Sequence, residues 1–322
     1  MLYKSKHSGF APINSAYGSV FHPNKLSIGL VLPLEAYSVG EEPSMKNHLE
    51  IAALADRLGF SALWVRDVPF NVPNFGDVGQ MFDPFVYLGM LAGATRNIGL
   101  GTASIILPLR HPAHVAKAAA SVDVLSGGRL LLGVASGDRP EEFPALNMSF
   151  SDRGERFRES FEYIKMVADD YPQHNGDYGQ LRGSIDMLPK PFGDRIPMLI
   201  TGGSQQSSEW IANNGDGWMT YPRDIASQSR VVADYRRRIT EAGGNDKPVM
   251  QSLYVDLLED ADAHPQTIHL GFRSGVGFLK RYLLDLRDLG VNHVALNLRF
   301  NAADIKTTMN RLADELLPVF AS

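Results

Sequence analysis

The segment NIGLGTASIILPLRHPAHVAKAAASVDVLSGGRLLLGVASG, Asn97 to Gly137, decides the fold. An apolar run, 98–107, stops at Pro108, and an alanine-rich stretch with helical spacing fills 112–124. Gly127-Gly128 breaks that helix, and a second apolar run, 130–135, ends in Ser136-Gly137-Asp138. A strand, a crossover helix and a second strand make the two strands parallel. Both runs are apolar almost throughout, as strands covered on two faces must be. Small and polar residues collect where each strand ends, which is where ligands bind in α/β folds.

The same alternation runs through the chain. Strands are expected at 27–32, 62–66, 98–107, 130–135, 198–201, 217–220, 249–257 and 293–298. Helices are expected at 45–58, 83–95, 112–124, 153–170, 207–214, 224–242, 276–289 and 301–320, with Asp83 as N-cap and Pro84 in the first turn of the second. Eight strands in strict alternation with helices point to a closed (β/α)8 TIM barrel with insertions rather than an open sheet. No repeat or linker divides the 322 residues, so one domain is expected over 1–322. Residues 1–25 read as an irregular surface arm, and 170–197 as a hairpin insertion before the fifth strand. The connections 67–82 and 137–152 are long, follow strands directly and should rim the C-terminal mouth, with Phe70, Phe75, Met81 and Phe82 as apolar walls. The connection 258–275 is also long.

Composition excludes several classes. A net charge of -5 gives no reason to expect nucleic acid or an anionic membrane surface as partner. With no cysteine there is no disulfide, thiolate nucleophile or Cys-ligated metal, and the chain suits a cytoplasmic setting. No apolar run reaches the roughly 20 residues a membrane-spanning helix needs, and the N-terminus has no secretory core. His111 and His114 flank Pro112 without an acidic partner, there is no H-E-x-x-H, and no metal is expected. The first strand is not followed by G-x-G-x-x-G, nor is there a G-x-S-x-G elbow.

Three places at strand ends carry candidate chemistry. Thr201-Gly202-Gly203-Ser204-Gln205 leads straight into a helix, so backbone N–H groups, with Ser204, Gln205 and Ser207, could take a phosphate; an ordinary capped turn would look the same. Ser136 and Asp138, with Arg139, close the fourth strand and could bind phosphate or a ring edge, or form a simple turn. Thr102, Ala103 and Ser104 are small enough for a flat ring to lie on the third strand, and equally suited to tight packing inside a barrel.

These residues resemble the bacterial luciferase-like flavin monooxygenases over 26–320. GTASIILPLRHPAHVAKAAASVDVLSGGRLLLGVASG is similar to that family's third strand, helix and fourth strand, and GGSQQSSEWIANNGDGWMTY to its phosphate turn, helix and strand. LWVRDVPF, NFGDVGQMFDP and GDGWMTYPR resemble a subgroup of luciferase-type oxidoreductases. The resemblance implies reduced FMN supplied by a separate flavin reductase, O2 as co-substrate, a small organic substrate and a homodimer. F420 on the same barrel, or flavin binding without turnover, are the alternatives. It also implies a phosphate near Ser136, Gly202, Gly203, Ser204, Gln205 and Ser207, and a non-proline cis peptide at Ala103-Ser104 behind the ring. The chain departs from luciferase in two places. Arg66-Asp67-Val68 stands where luciferase has a catalytic histidine, making Asp67 and Arg66 the ionisable candidates; a structural Arg66-Asp67 pair, or Asp67 as a loop cap, is the other reading. Ser136 replaces a phosphate-binding arginine, leaving backbone N–H groups, hydroxyls, Arg139 or Arg223 to meet the charge.

Overall fold

The computed structural model describes residues 9–37, 41–75 and 79–320. Eight parallel strands form the wall: β1 (Ser27–Val31), β2 (Ala62–Val65), β3 (Gly99–Thr102), β4 (Leu130–Ala135), β5 (Met198–Thr201), β6 (Gly217–Thr220), β7 (Val249–Leu257) and β8 (His293–Asn297). Each pairs with the next in order, β6 pairs with β7, and β8 returns to β1 with Ser27 opposite His293, so the barrel closes. Every expected strand is present. The third is interrupted: β3 pairs with β2, the Ala103–Ser104 peptide is cis, and Ile105–Ile106 then continues on β4.

Outside the barrel lie α2 (His48–Leu58), α3 (Pro84–Ala94), α4 (Pro112–Ser126), α5 (Arg153–Met166), α6 (Ser208–Asn214), α7 (Ile225–Glu241), α8 (Val276–Asp288) and α9 (Ile305–Glu315). Asp83 caps α3 as expected, its Oδ1 accepting from the N–H groups of Phe85 and Val86 at 2.9 and 3.1 Å. The last helix is shorter than 301–320: Asp304 caps α9, and Pro318 sits in a separate final turn, Leu317–Phe320, where its missing N–H does least harm. Two short hairpins decorate the barrel. Gln173–Gly176 with Gly179–Arg182 lies inside the expected insertion, and Gln266–Ile268 with Gly271–Ser274 adds a strand beside the end of β7. No helix among the described residues is long and apolar enough to cross a membrane.

The N-terminal segment differs from expectation. Residues 1–8 lie outside the described residues, but the rest is no irregular arm: α1 (Ser15–Val20) closes the floor of the barrel. Asn14 accepts the N–H of Tyr17 and donates to the Leu130 carbonyl at 2.7 Å, Ala16 donates to Gly128, and Tyr17 Oη donates to the Asp216 carbonyl. Ala16, Tyr17, Val20 and Phe21 are buried among the inward-facing Trp64, Leu131, Leu199 and Met250. A six-residue helix with so few apolar positions has no readable periodicity, so only the closed barrel reveals its role.

Above the plug sits a polar relay. The indole N–H of Trp64 can only donate, so His293 Nε2, at 2.9 Å, must accept. The proton of the neutral ring therefore resides on Nδ1 and points to Ser27 Oγ at 2.7 Å, which donates to the Val20 carbonyl at 2.6 Å. Burial pushes the His293 ring from its ordinary 6.5 down to about 3. Gly29 makes room, since a Cβ there would stand 2.5 Å from the Ala62 carbonyl oxygen and 2.8 Å from the imidazole.

Candidate active site

The C-terminal ends of the strands surround a cleft of about 90 Å³. Arg66, Ala103, Ser104 and Thr201 line it, as do Met219, Tyr221, Met250, Tyr254 and Asn297. Ser104 and Thr201 share a short hydrogen bond between their hydroxyls, and both approach Met219 Sδ. Most of the wall is neutral and small, which suits a flat ring; Arg66 and the two tyrosines are the ionisable groups among these residues. Burial, aided by Asp138, pushes the Tyr221 phenol above its ordinary range. Thr102 is set deeper in the wall, fully buried, with its hydroxyl donating to the Gly133 carbonyl at 2.7 Å.

Asp67 and Arg66 part company. The backbone of Arg66 is clamped by the buried Gln80, which accepts from its N–H at 2.9 Å and donates to its carbonyl at 2.6 Å. Arg66 is one of the residues lining the cleft, and its guanidinium lies beside Gly79, where an added Cβ would stand 2.9 Å from it. Asp67 does not line it: both carboxylate oxygens take the fork of Arg110, at 2.7 and 3.0 Å, and Oδ2 also accepts the N–H of Ile106 at 3.1 Å. The structural pair of Asp67 is thus with Arg110, not with its neighbour Arg66. Arg110 also binds Asp83, the N-cap of α3, at 3.0 Å. Asp67 fastens the continuation of β3 to α3 and is poorly placed to move a proton in the cleft.

The two rim loops meet as expected. The buried Arg139 lies 4.3 Å over the ring of Phe75 and pairs with the buried Glu142 at 3.5 Å. Burial raises the Glu142 carboxyl, with Arg139 opposing. Phe70 and Phe75 stay half-exposed at the rim, whereas Phe82 turns away to His48 and Tyr87, with ring centroids 5.4 Å apart in each case. None of Phe70, Phe75, Met81 and Phe82 is among the residues lining the small cleft.

The strand-end turn after β5 is built for close approach. Gly202, Ser204 and Gln205 all have left-handed φ, at 55°, 42° and 58°. Such a bend gathers successive N–H groups into an anion-binding concavity. The side chains are less available than the sequence suggested: Ser204 Oγ donates back to the Thr201 carbonyl at 2.7 Å, and Ser207 Oγ caps α6 by accepting from Trp210. Gly203 keeps open space where a Cβ would stand. Ser136 follows β4, the neighbour of β5, with Val134 in register with Ile200, so Ser136 and Gly202 stand at the same rim.

The start of α5 packs on this turn. A Cβ on Gly154 would be 2.8 Å from Gln205 Cβ, and Gln206 donates to the Gly154 carbonyl at 2.8 Å while accepting both prongs of Arg158. Arg153 stacks 3.7 Å over Phe150 and donates to its carbonyl, leaving a buried Nε without a hydrogen-bond partner. Arg156 Nε is buried in the same state. Arg223, by contrast, is spent on Thr220, the Tyr221 carbonyl and Gln228, and Arg139 on the rim contact. Of these cations, Arg153 adjoins Gly154, the residue that packs on the turn. Arg153 and Arg156 stand in the first turn of α5, where Asp152 and Glu155 supply the negative charge that a helix N-terminus favours. Among the described residues no His, Cys, Asp and Glu cluster could hold a metal ion.

The cleft, lined mostly by small neutral side chains, and the amide-rich turn thus share the C-terminal rim of a closed parallel barrel. The chain belongs to the luciferase-like monooxygenase family, whose family model matches residues 26–321. It is 29% identical over 183 residues to the oxygenase component of the flavin-dependent trigonelline monooxygenase of Acinetobacter baylyi, a match covering 56% of this chain and 49% of that protein. Its fold is similar to that of a monooxygenase from Streptomyces bottropensis, with a TM-score of 0.71 at 22% identity, over 91% of this chain and 99% of the other. An F420-dependent secondary alcohol dehydrogenase has the same fold, with a TM-score of 0.73 at 19% identity, over 90% and 98% of the two chains.

Proposed function

We propose that this protein is the oxygenase component of a two-component monooxygenase, acting in the cytoplasm on a small organic substrate with O2 and reduced FMN from a separate flavin reductase. When bound, FMN supplies the oxygen chemistry; the protein's share is binding, orientation and exclusion of water. The observation that carries this reading is the Gly202–Gln205 bend, which shares its rim with Ser136 and has the start of α5 packed on it through Gly154. Backbone N–H groups of Gly203, Ser204 and Gln205 and the Ser136 hydroxyl fit a phosphate, and Arg153, next to Gly154, would supply the guanidinium. The ring would rest against Ala103 and Ser104, with Arg66 and Tyr221 at its edges, and the Arg139–Phe75 contact would keep water from the mouth. Arg66 offers positive charge to an anionic ring or substrate, and Asp67 acts only through Arg110 and Ile106.

The test is an anaerobic titration with reduced FMN, followed by stopped-flow mixing with O2. Tight binding, slow return of the oxidised-flavin absorbance and little free hydrogen peroxide are expected. Prompt reoxidation with one peroxide per flavin would leave a flavin binder without oxygenation. The F420 dehydrogenase shares the fold, so F420 is titrated in parallel; preference for F420 over FMN would replace this reading with hydride transfer.

A further inference from the structure

Two thioethers stand on the wall of the cleft, those of Met219 and Met250. Met250 is 1% exposed, whereas Met219 keeps 6% of its surface open. The Met219 sulfur is closely surrounded. Thr201 Oγ1 lies 3.3 Å from it and Ser104 Oγ 3.7 Å. A Cβ on Gly133 would stand 2.7 Å away, so the wall behind the sulfur has no room for another atom. Because Met219 lines the cleft, the room that remains is on the cleft side. Ser104 and Thr201 also share a hydrogen bond with each other. That bond uses one of their two hydroxyl protons and leaves one for the sulfur. A thioether has two lone pairs, so one of them stays free.

We infer that Met219 is an oxidation site: hydrogen peroxide formed in the cleft converts it to the sulfoxide, and the new oxygen closes the cleft to the flavin ring. This rests on the oxygen chemistry proposed above, which yields peroxide whenever O2 is reduced and no organic substrate takes the oxygen. No further reagent enters. The free sulfur lone pair attacks one peroxide oxygen, so the S–O bond forms as the O–O bond breaks. Sulfur gives up two electrons and the peroxide gains them. The proton on the transferred oxygen passes to the departing hydroxide, and water leaves. The Ser104–Thr201 hydroxyl pair can carry that proton, since each hydroxyl both donates and accepts. The product is polar and chiral where the parent side chain was apolar. With Gly133 behind the sulfur, the oxygen has to project forward, into a space of about 90 Å³. A protein that reduces O2 without substrate therefore shuts its own cleft. Met81 and Met90, 47% and 55% exposed, lie outside the cleft and have no such effect.

The test is peptide mass spectrometry, reading the gain of one oxygen at each methionine. In one arm hydrogen peroxide is added to the protein without flavin. Met81 and Met90 should react first, and Met219 about five-fold faster than Met198, Met250 and Met309, which are 2%, 1% and 0% exposed. Thr201→Val should slow Met219 about three-fold relative to Met81 in the same sample. In the second arm the protein meets reduced FMN in air without substrate, with catalase present to remove peroxide that escapes. The order should invert, with Met219 oxidised and Met81 and Met90 spared. Protein oxidised at Met219 should bind FMN about ten-fold more weakly, whereas Met219→Leu should keep its own starting affinity through the same treatment. If Met219 reacts no faster than the three buried methionines in the first arm, the site is overturned. Oxidised Met219 with full FMN affinity overturns closure of the cleft, and an unchanged Met219 rate in Thr201→Val overturns the part given to the hydroxyl pair. Oxidation of Met219 by added peroxide alone, and never with reduced FMN, leaves the site standing and ends the oxygen reading instead.

Discussion

Below about pH 6.5 the protein should lose stability through one residue, His293. Its ring titrates at an ordinary 6.5 when the chain is unfolded and at about 3 when folded, because burial disfavours the cation. The folded value is lowered, so the unfolded chain binds the extra proton between those two pH values. Stability is then complete above 6.5 and falls with acidification until about 3. Each unit in that window is worth about 1.4 kcal/mol, so moving from neutrality to pH 4.5 should remove roughly 3 kcal/mol through this group alone. The geometry sharpens the point. A protonated ring would turn Nε2 into a donor facing the donor-only indole of Trp64 at 2.9 Å. The assay is urea unfolding at half-unit steps from pH 7.5 to 4.5, on the native protein and on His293→Gln. Glutamine can still accept and donate but does not titrate. It should cost about 1–3 kcal/mol at neutral pH, and the gap between the two proteins should narrow by about one proton's slope on acidification. Curves that stay parallel would refute the reasoning. So would nitrogen chemical shifts reporting a charged His293 in the folded protein at pH 5.

Three further outcomes follow from the mouth. Asp67→Asn and Arg110→Ala should each cost about 3 kcal/mol in unfolding experiments, as loss of one partner of a buried pair does, and should weaken FMN binding alike; loss of turnover in Asp67→Asn with normal binding, and none in Arg110→Ala, would instead make Asp67 the proton donor. Arg153→Ala should weaken FMN binding about 10- to 100-fold, the worth of a charge-assisted hydrogen bond, and leave riboflavin binding unchanged; equal losses for both ligands would place the phosphate elsewhere. Gly202→Ala should destabilise the protein by about 1–2 kcal/mol, since φ is 55° there and a Cβ would meet the Tyr221 ring at 3.2 Å. Normal stability and normal FMN affinity in that variant would show that the bend tolerates a side chain.

The barrel was legible because its strands are short, apolar and bounded by glycine, proline and polar residues: 130–135, 198–201, 217–220 and 249–257 were readable to the residue. The rim turn at Gly202-Gly203 was readable too, since paired glycines between a strand and a helix advertise a backbone that must bend. What sequence order hides is who faces whom. Asp67 and Arg110 are 43 positions apart, and nothing local distinguishes that partner from the adjacent Arg66. Tyr221 and Tyr254 enter the cleft from just past β6 and from within β7, which only closure of the barrel makes neighbours. The floor helix was out of reach, because six residues carry too little pattern.

That floor has a consequence for how the molecule is made. The segment 13–21 emerges from the ribosome before any wall strand, yet its anchors include Leu130 and Asp216, the latter 199 positions downstream of Tyr17. A base plate synthesised first must wait for two-thirds of the polypeptide before it has anything to seal. Contacts that distant form slowly, so the nascent chain spends most of its synthesis with Tyr17, Val20 and Phe21 uncovered, a natural foothold for chaperones that bind early-exposed aromatic and aliphatic side chains.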